Sequence, residues 1–493
     1  MVNKNALNVK IFKAFLFLFI FVIFCNSFTF QHSFDSENKL DKSLKNIEYE
    51  DKTITIVILV HPYNKHHYLP HLFGSFEIQN YDLRRIKLHI ITERLKFIEN
   101  IDENDSSIKR FYEQNGENEF WIDPRLDLNE KTINILKYWI NNNLIYFSDI
   151  QLTISEQELS SDSGNSYQFD DSEDNSYWNR ERFLRIMDYK INGLLSAFNS
   201  WSDYVMFMDA DVILVNPYTL KNLTNIFLEQ PEALVVSPML NSFETYSNFW
   251  GAMDNNGYYQ RSHDYLSILQ RKLLGTFTVP MVHSCFMIDL RKKLSRTLTF
   301  DPRELKIDVP FDDIITFAKS AQINSIKFHL DNRHVYGYFP SSMSDNVLSD
   351  DQVKQSLINL ELLSLKEGLS FPVSSILEQF KEPLIPFPDK LGVDQVYIIN
   401  LKRRLERKVR MEKVLQLLGI KDQFWIATDG KALNQSMLDF YKIQTLPEYL
   451  DPYSKRPITF GEIGCFLSHY RIWEDALRHN YSKVSIICSL FYF

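Results

Sequence analysis

In the stretch DYVMFMDADVILVNP, Asp203 to Pro217, an apolar run stops on two carboxylates one residue apart, Asp209 and Asp211. Hard carboxylate oxygens suit Mg2+ or Mn2+, ions that bind through one or two carboxylates plus the phosphates of a substrate. Side chains two apart on a strand point to the same side. At the carboxyl end of a parallel strand both acids would face the crevice in which open α/β sheets bind ligands. The pattern predicts an anchor for a metal and a diphosphate; a D-x-D triplet in a solvated turn is the plainer alternative. A second acidic pair, Asp312 and Asp313 in FDDII, precedes an amphipathic helix. It is either an N-cap with an acid in the first turn or a general base and acceptor contact. His283 in VPMVHSCF precedes a strand and is either a metal or phosphate contact or a structural histidine.

Other patterns exclude chemistry. The loop after Asp209 cannot be an EF-hand, because Ile213 and Leu214 stand where an oxygen ligand and a glycine are needed. Neither a Walker A nor a G-x-G-x-x-G pattern occurs, which removes support for ATPase and dinucleotide readings. The group His61, His66, His67 and His71 lacks the H-E-x-x-H order, and Pro70 would disturb a helix holding it. No metal site is read from it.

The acids need a frame, and the chain supplies one. TITIVILV (53–60) is a β-branched run of the buried parallel-strand type, and IKLHIIT (86–92) is a second strand. ERFLRIMDYKINGLLSAFNS carries Phe183, Ile186, Met187, Ile191, Leu194 and Leu195 at helical spacing, directly before the strand that ends at Asp209. Strand, helix and strand in that order predict an α/β sheet with ligands at the strand carboxyl ends. ALVVSPML and CFMIDL read as further strands and FDDIITFAKSA as a helix. The acidic, Ser-rich residues 150–176 read as an exposed loop, and 341–392, rich in Ser, Asp and Pro, as a linker. QVYIIN then opens a second α/β unit, followed by the basic helix LKRRLERKVRMEKVLQLLGI.

Length and composition bound the rest. The 493 residues predict two or three domains, and 45% hydrophobic residues can bury a sizeable core. A formal charge of -9 argues against a general affinity for nucleic acid. Lys4, Lys10 and Lys13 precede AFLFLFIFVIF, a run roughly 16 Å long as a helix against the ~30 Å bilayer core. A signal peptide over 1–27 is the better reading and an uncleaved anchor the alternative, with no later membrane span. The mature chain is then lumenal or extracellular. The sequons beginning at Asn104, Asn222, Asn434 and Asn480 fit that compartment. Four cysteines, Cys25, Cys285, Cys465 and Cys488, make no disulfide framework.

DYVMFMDADVILVNPYTL, SPMLNSFETYSNFWGAM, GYYQRS, VPMVHSCFMIDLRK, FDDIITFA and YGYFP resemble the first half of procollagen galactosyltransferases. VYIINLKRRLERKVRM, DGKALN and LPEYLDPYSKRPITFGEIGCFLSHYRIW are similar to the family-25 glycosyltransferase unit. The resemblance implies two α/β, GT-A-like (Rossmann-like) domains, at 52–340 and from 393, working in the endoplasmic reticulum. It implies transfer of galactose from UDP-galactose to hydroxylysine of collagen, with Mn2+ and inversion at the anomeric carbon, so that a carboxylate base takes the acceptor proton. The family's D-A-D falls on Asp209 and Asp211 as donor and metal ligands, its His on His283 as a further metal ligand, and its F-D-D on Asp312 and Asp313 as catalytic carboxylates, for the base or for acceptor positioning. In the second unit its motifs fall on Asn400 to Arg404, Asp429 to Lys431 and Gly464 to Tyr470. A homodimer is compatible with it.

The chain departs from the family in two places. Near residue 61 it reads HPYNKHHYLP where the family usually has an Arg-Asn pair. After SHYRIWEDALRHNYSKVSII it reads CSLFYF where the family continues with an acidic motif, so the second unit (393–493) is expected to be truncated and without a K-D-E-L-type tail. Two other readings stand beside the enzyme: a non-catalytic lumenal or cell-surface homologue acting in adhesion, and a truncated, inactive form. Galactose and glucose donors differ by one or two hydroxyl contacts that a sequence does not resolve.

Overall fold

A computed structural model describes residues 51–61, 65–97, 124–159, 180–243, 245–254, 257–305, 309–340, 350–382, 384, 387–452 and 455–489. The N-terminal leader expected over 1–27 lies outside these residues. None of the described helices is long and apolar enough to cross a membrane. The described residues form two compact units, with the boundary between Glu382 and Pro383.

An eight-stranded sheet organises the first unit. Its strands are β1 (Ile54–Val60), β2 (Ile86–Phe97), β3 (Asp149–Leu159), β4 (Tyr204–Asp209), β5 (Val235–Pro238), β6 (Thr276–Val279), β7 (Cys285–Asp289) and β8 (Phe328–Asp331). Their order is β6-β8-β5-β7-β4-β1-β2-β3. The run β4-β1-β2-β3 is parallel, β7 is antiparallel to both its neighbours, and β6 is antiparallel to β8. The unit is therefore the α/β sheet that the strand–helix–strand pattern predicts, Rossmann-like as the resemblance implies.

The strands are apolar on both faces because helices cover both. Alternate residues of β1 divide between two cores: Ile54, Ile56, Ile58 and Val60 enter one, Val57 the other. The first core packs Leu72 and Phe73 of α1 (Leu69–Glu77), Trp139 of α2 (Pro124–Asn143) and Leu223 of α4 (Thr219–Glu229). The second packs Met187 and Leu194 of α3 (Arg180–Asn199) with Phe317 and Ala321 of α5 (Asp313–Ile323). Helix α3 can lie close on β1 because position 193 is glycine: a Cβ there would stand 2.5 Å from Val57 Cγ1.

Two expectations give way. The acidic stretch read as a loop from residue 150 begins as β3, paired in parallel along β2 from Lys87↔Asp149 to Phe97↔Leu159. Its alternation, Ile150, Leu152 and Ile154 against Gln151, Thr153 and Ser155, is a strand signal that the acidic composition hid; residues 160–179 lie outside the described residues. The segment read as a linker, 341–392, contains the helix α6 (Asp350–Lys366), with Val353, Leu357 and Leu360 buried. Residues 372–374 then lie against α1, where a Cβ on Gly74 would meet the Val373 backbone at 2.7 Å. Ser374 N–H donates to Pro70 O at 2.8 Å, so this stretch belongs to the first unit.

In the second unit β9 (Gln395–Asn400) pairs in parallel with β10 (Gln423–Ile426) and β11 (Val484–Cys488). Val396 and Ile398 pack on Met411 and Leu415 of α7 (Leu405–Leu417), and Tyr397 and Ile399 on Ile472 of α8 (Phe460–Arg478). A capping box of Thr459 and Glu462 opens α8. The Tyr397 hydroxyl donates to Asp475 at 2.6 Å.

Candidate active site

The carboxyl end of β4 carries the first acid. Asp209 is the last residue of the strand, and Asp211 lies in the turn beyond it, closed by Val212 N–H to Asp209 O at 3.1 Å. The two acids are thus not same-face neighbours of one strand, as the spacing predicts; a turn brings them together instead. Lys65, from the connection between β1 and α1, pairs with Asp211.

Strand β7 runs antiparallel beside β4 with Cys285 opposite Met208, which sets Ser284 against Asp209. Asp209 N–H donates to Ser284 O at 2.9 Å, and the Ser284 hydroxyl bonds the Asp209 carboxylate. Ser284 holds φ +58°, a left-handed conformation that a non-glycine residue adopts at a cost. His283 is buried; its Nδ1 meets Ser284 Oγ at 3.0 Å and its Nε2 meets the Tyr246 hydroxyl at 3.2 Å. As a metal ligand it would have to give up one of these hydroxyls. In this arrangement it supports Ser284, which in turn holds Asp209.

The second acidic pair comes from the start of α5. Asp312 is the N-cap, its Oδ1 accepting from Ile315 N–H at 2.9 Å, and its Oδ2 accepts the Tyr259 hydroxyl at 2.5 Å. Asp313, in the first turn, is buried and pairs with Lys190 of α3. The N-cap reading of Asp312 is the one that these contacts describe.

Lys190 joins the two pairs. Burial works against its ammonium, but the charges of Asp313, Asp209 and Asp312 outweigh it and raise its pKa. Burial pushes Asp209 up to about 6, with Lys190 opposing and Asp211 adding to the rise. Burial, then Asp313, pushes Asp312 up to about 6 against the Tyr259 hydrogen bond. Burial, then Lys190, lowers His283 to about 4, so its ring is neutral near pH 7. Four carboxylates (209, 211, 312, 313) face two ammonium groups (65, 190), an excess of two negative charges. A hard divalent cation is the species that such an oxygen-rich, over-charged donor set fits. Tyr246, Trp250 and Tyr259 line this region, with the Trp250 and Tyr259 rings stacked at 5.2 Å.

Sequence reasoning missed Lys190, Lys65, Tyr259 and Ser284. Lys190 left a signal: it falls on the buried stripe Met187, Lys190, Leu194 and Ala197, where a cation survives only with a partner. The motif residues of the second unit support one another. Arg403 donates to Asp429 at 2.6 Å, Ser468 Oγ accepts from Thr428 N–H at 2.8 Å, and a Cβ on Gly430 would meet Phe460 O at 2.4 Å.

Two family profiles match the chain: the glycosyltransferase family 25, N-terminal domain, over residues 106–361, and glycosyltransferase family 25 (LPS biosynthesis protein) over 393–488. Procollagen galactosyltransferase 2 of Homo sapiens is 33% identical over 453 residues, covering 92% of this chain and 64% of its own length. Its counterpart from Mus musculus is 40% identical over 311 residues, 63% of this chain and 48% of its own length. A glycosyltransferase 25 family member of Aedes aegypti is 34% identical over 447 residues, 90% and 65% of the two chains. The chain spans about half to two thirds of the length of these relatives. It belongs to glycosyltransferase family 25.

Proposed function

We propose that this chain transfers galactose from UDP-galactose to the hydroxyl of hydroxylysine in collagen-type acceptors, in the endoplasmic reticulum lumen. The observation that carries this reading is the meeting of Asp209 and Asp211, at the end of β4, with Asp312 and Asp313 across the buried Lys190. Asp211 and Asp209 would hold Mn2+ together with the donor's diphosphate. The bound ion would offset the charge that develops on the departing UDP.

Asp312 is the base. Its raised pKa, about 6, suits proton transfer near neutral pH, whereas Asp313 is committed to Lys190. The acceptor oxygen forms its bond to the anomeric carbon as the carbon–oxygen bond to the diphosphate breaks on the opposite face. UDP leaves with the electron pair, the proton goes to Asp312, and the configuration inverts. An acceptor hydroxyl would approach Asp312 from the side on which the Tyr259 hydroxyl now donates.

The test is UDP-hexose turnover with Mn2+ and a hydroxylysine-containing collagen peptide, with Asp211→Asn as the control. Transfer from UDP-galactose that Asp211→Asn abolishes supports the proposal; the same assay with UDP-glucose decides the sugar. Absence of transfer by a chain that still binds UDP would overturn it in favour of a non-catalytic homologue.

A further inference from the structure

The histidines that the sequence pattern leaves without a role meet a carboxylate in the fold. His66 and His67 occupy the turn immediately before α1, both buried, with ring centroids 3.9 Å apart. Glu382, the last residue of the first unit, comes to them from the far end of that unit's chain. One ligand atom from each of the three residues lies within 4.8 Å of the others, the one such group among the described residues. Two imidazoles and a carboxylate are the donor set of three-ligand Zn2+ sites, in which water completes the tetrahedron. Imidazole also favours the later first-row ions over Mg2+ or Mn2+.

We propose that His66, His67 and Glu382 form a Zn2+-class site, separate from the acids of the candidate active site. Tetrahedral bonds of about 2 Å require the three atoms to close in further, which side-chain rotation can supply. The Glu382 carboxylate is held below the usual carboxylate range by Lys131, with smaller contributions from His67 and His66. Lys131 of α2 pairs with one of its oxygens, while Lys354 Nζ of α6 stands 3.9 Å from the other. Lys131 is the counter-ion of the metal-free arrangement and the metal's competitor. Its side chain is 32% exposed, so its ammonium can withdraw into solvent. A bound ion would tie the end of the first unit to the turn next to Lys65, the partner of Asp211.

The test is titration of the chelator-stripped full chain with Co2+, read by its absorption bands, and with Zn2+ in competition. An Asp211→Asn background removes the other candidate site. One Co2+ equivalent with a nitrogen–oxygen spectrum is expected, weakened at least about tenfold by Glu382→Gln and by His67→Ala. Lys131→Met should tighten it, on the order of tenfold, because a competing cation is gone. Glu382 is partly exposed and Gln keeps its size, so this variant carries the decision if His67→Ala does not fold. Binding that Glu382→Gln and Lys131→Met leave unchanged, or that disappears in Asp211→Asn, would overturn the proposal.

Discussion

Lys190 and Asp313 form a buried ion pair, and its worth shows when one side is removed. Lys190→Met leaves Asp313 buried beside Asp209 and Asp312 without its cation. A loss of about 3–5 kcal/mol in urea unfolding is expected. Adding Asp313→Asn should return much of it, because the stranded charge goes with its partner. Asp312 calls for a different experiment. Asn caps helices as well as Asp, so Asp312→Asn should not destabilise the fold, and near pH 7 should stabilise it, while transfer is lost. Because burial and Asp313 raise its pKa to about 6, the folded chain keeps a proton that the unfolded chain has released. Its contribution to stability is full below the unfolded value, near 4, and is lost as pH rises through about 6. Transfer should show the reverse, falling on the acid side of about pH 6, and a flat acid limb in kcat/KM would remove Asp312 as the base.

The elements that bring these residues together were legible to different degrees. Strands β1, β2 and β4 and helix α3 follow from hydrophobic period alone, since each must bury one stripe or both faces. Composition misled where it outweighed period: β3 looks acidic and α6 sits among Ser and Asp, yet both bury apolar residues. The D-A-D spacing suggested a strand, but the chain turns after Asp209, and nothing local in Ala210 or Asp211 announces it. Long-range pairings such as Lys65 with Asp211 could not be read, because they depend on how strands order in the sheet. Gly193 tests the element that carries Lys190. Gly193→Val would press its side chain into Val57 and push α3 off β1. We expect a loss of about 1–3 kcal/mol and a raised KM for UDP-sugar, since Lys190 moves with the helix. Unchanged KM would separate the helix position from donor binding.

At the scale of the whole molecule, the two units differ in how well each buries its own surface. The first closes two cores around one sheet. Among its described residues the second has three strands and two small clusters, and leaves Phe466, Tyr470, Trp473 and Leu477 of α8 between 45% and 77% exposed at helical spacing. An apolar stripe of this kind is surface that folding has not removed from water. Heating should therefore give two transitions, with the second unit melting first and the native chain already binding a hydrophobic dye. Ligand should separate them further. UDP with Mn2+ at about a hundred times its dissociation constant stabilises the unit that binds it by about 2.7 kcal/mol. Only the upper transition should rise, and the rise should vanish in Asp211→Asn. Movement of both transitions together would mean that the two units unfold cooperatively.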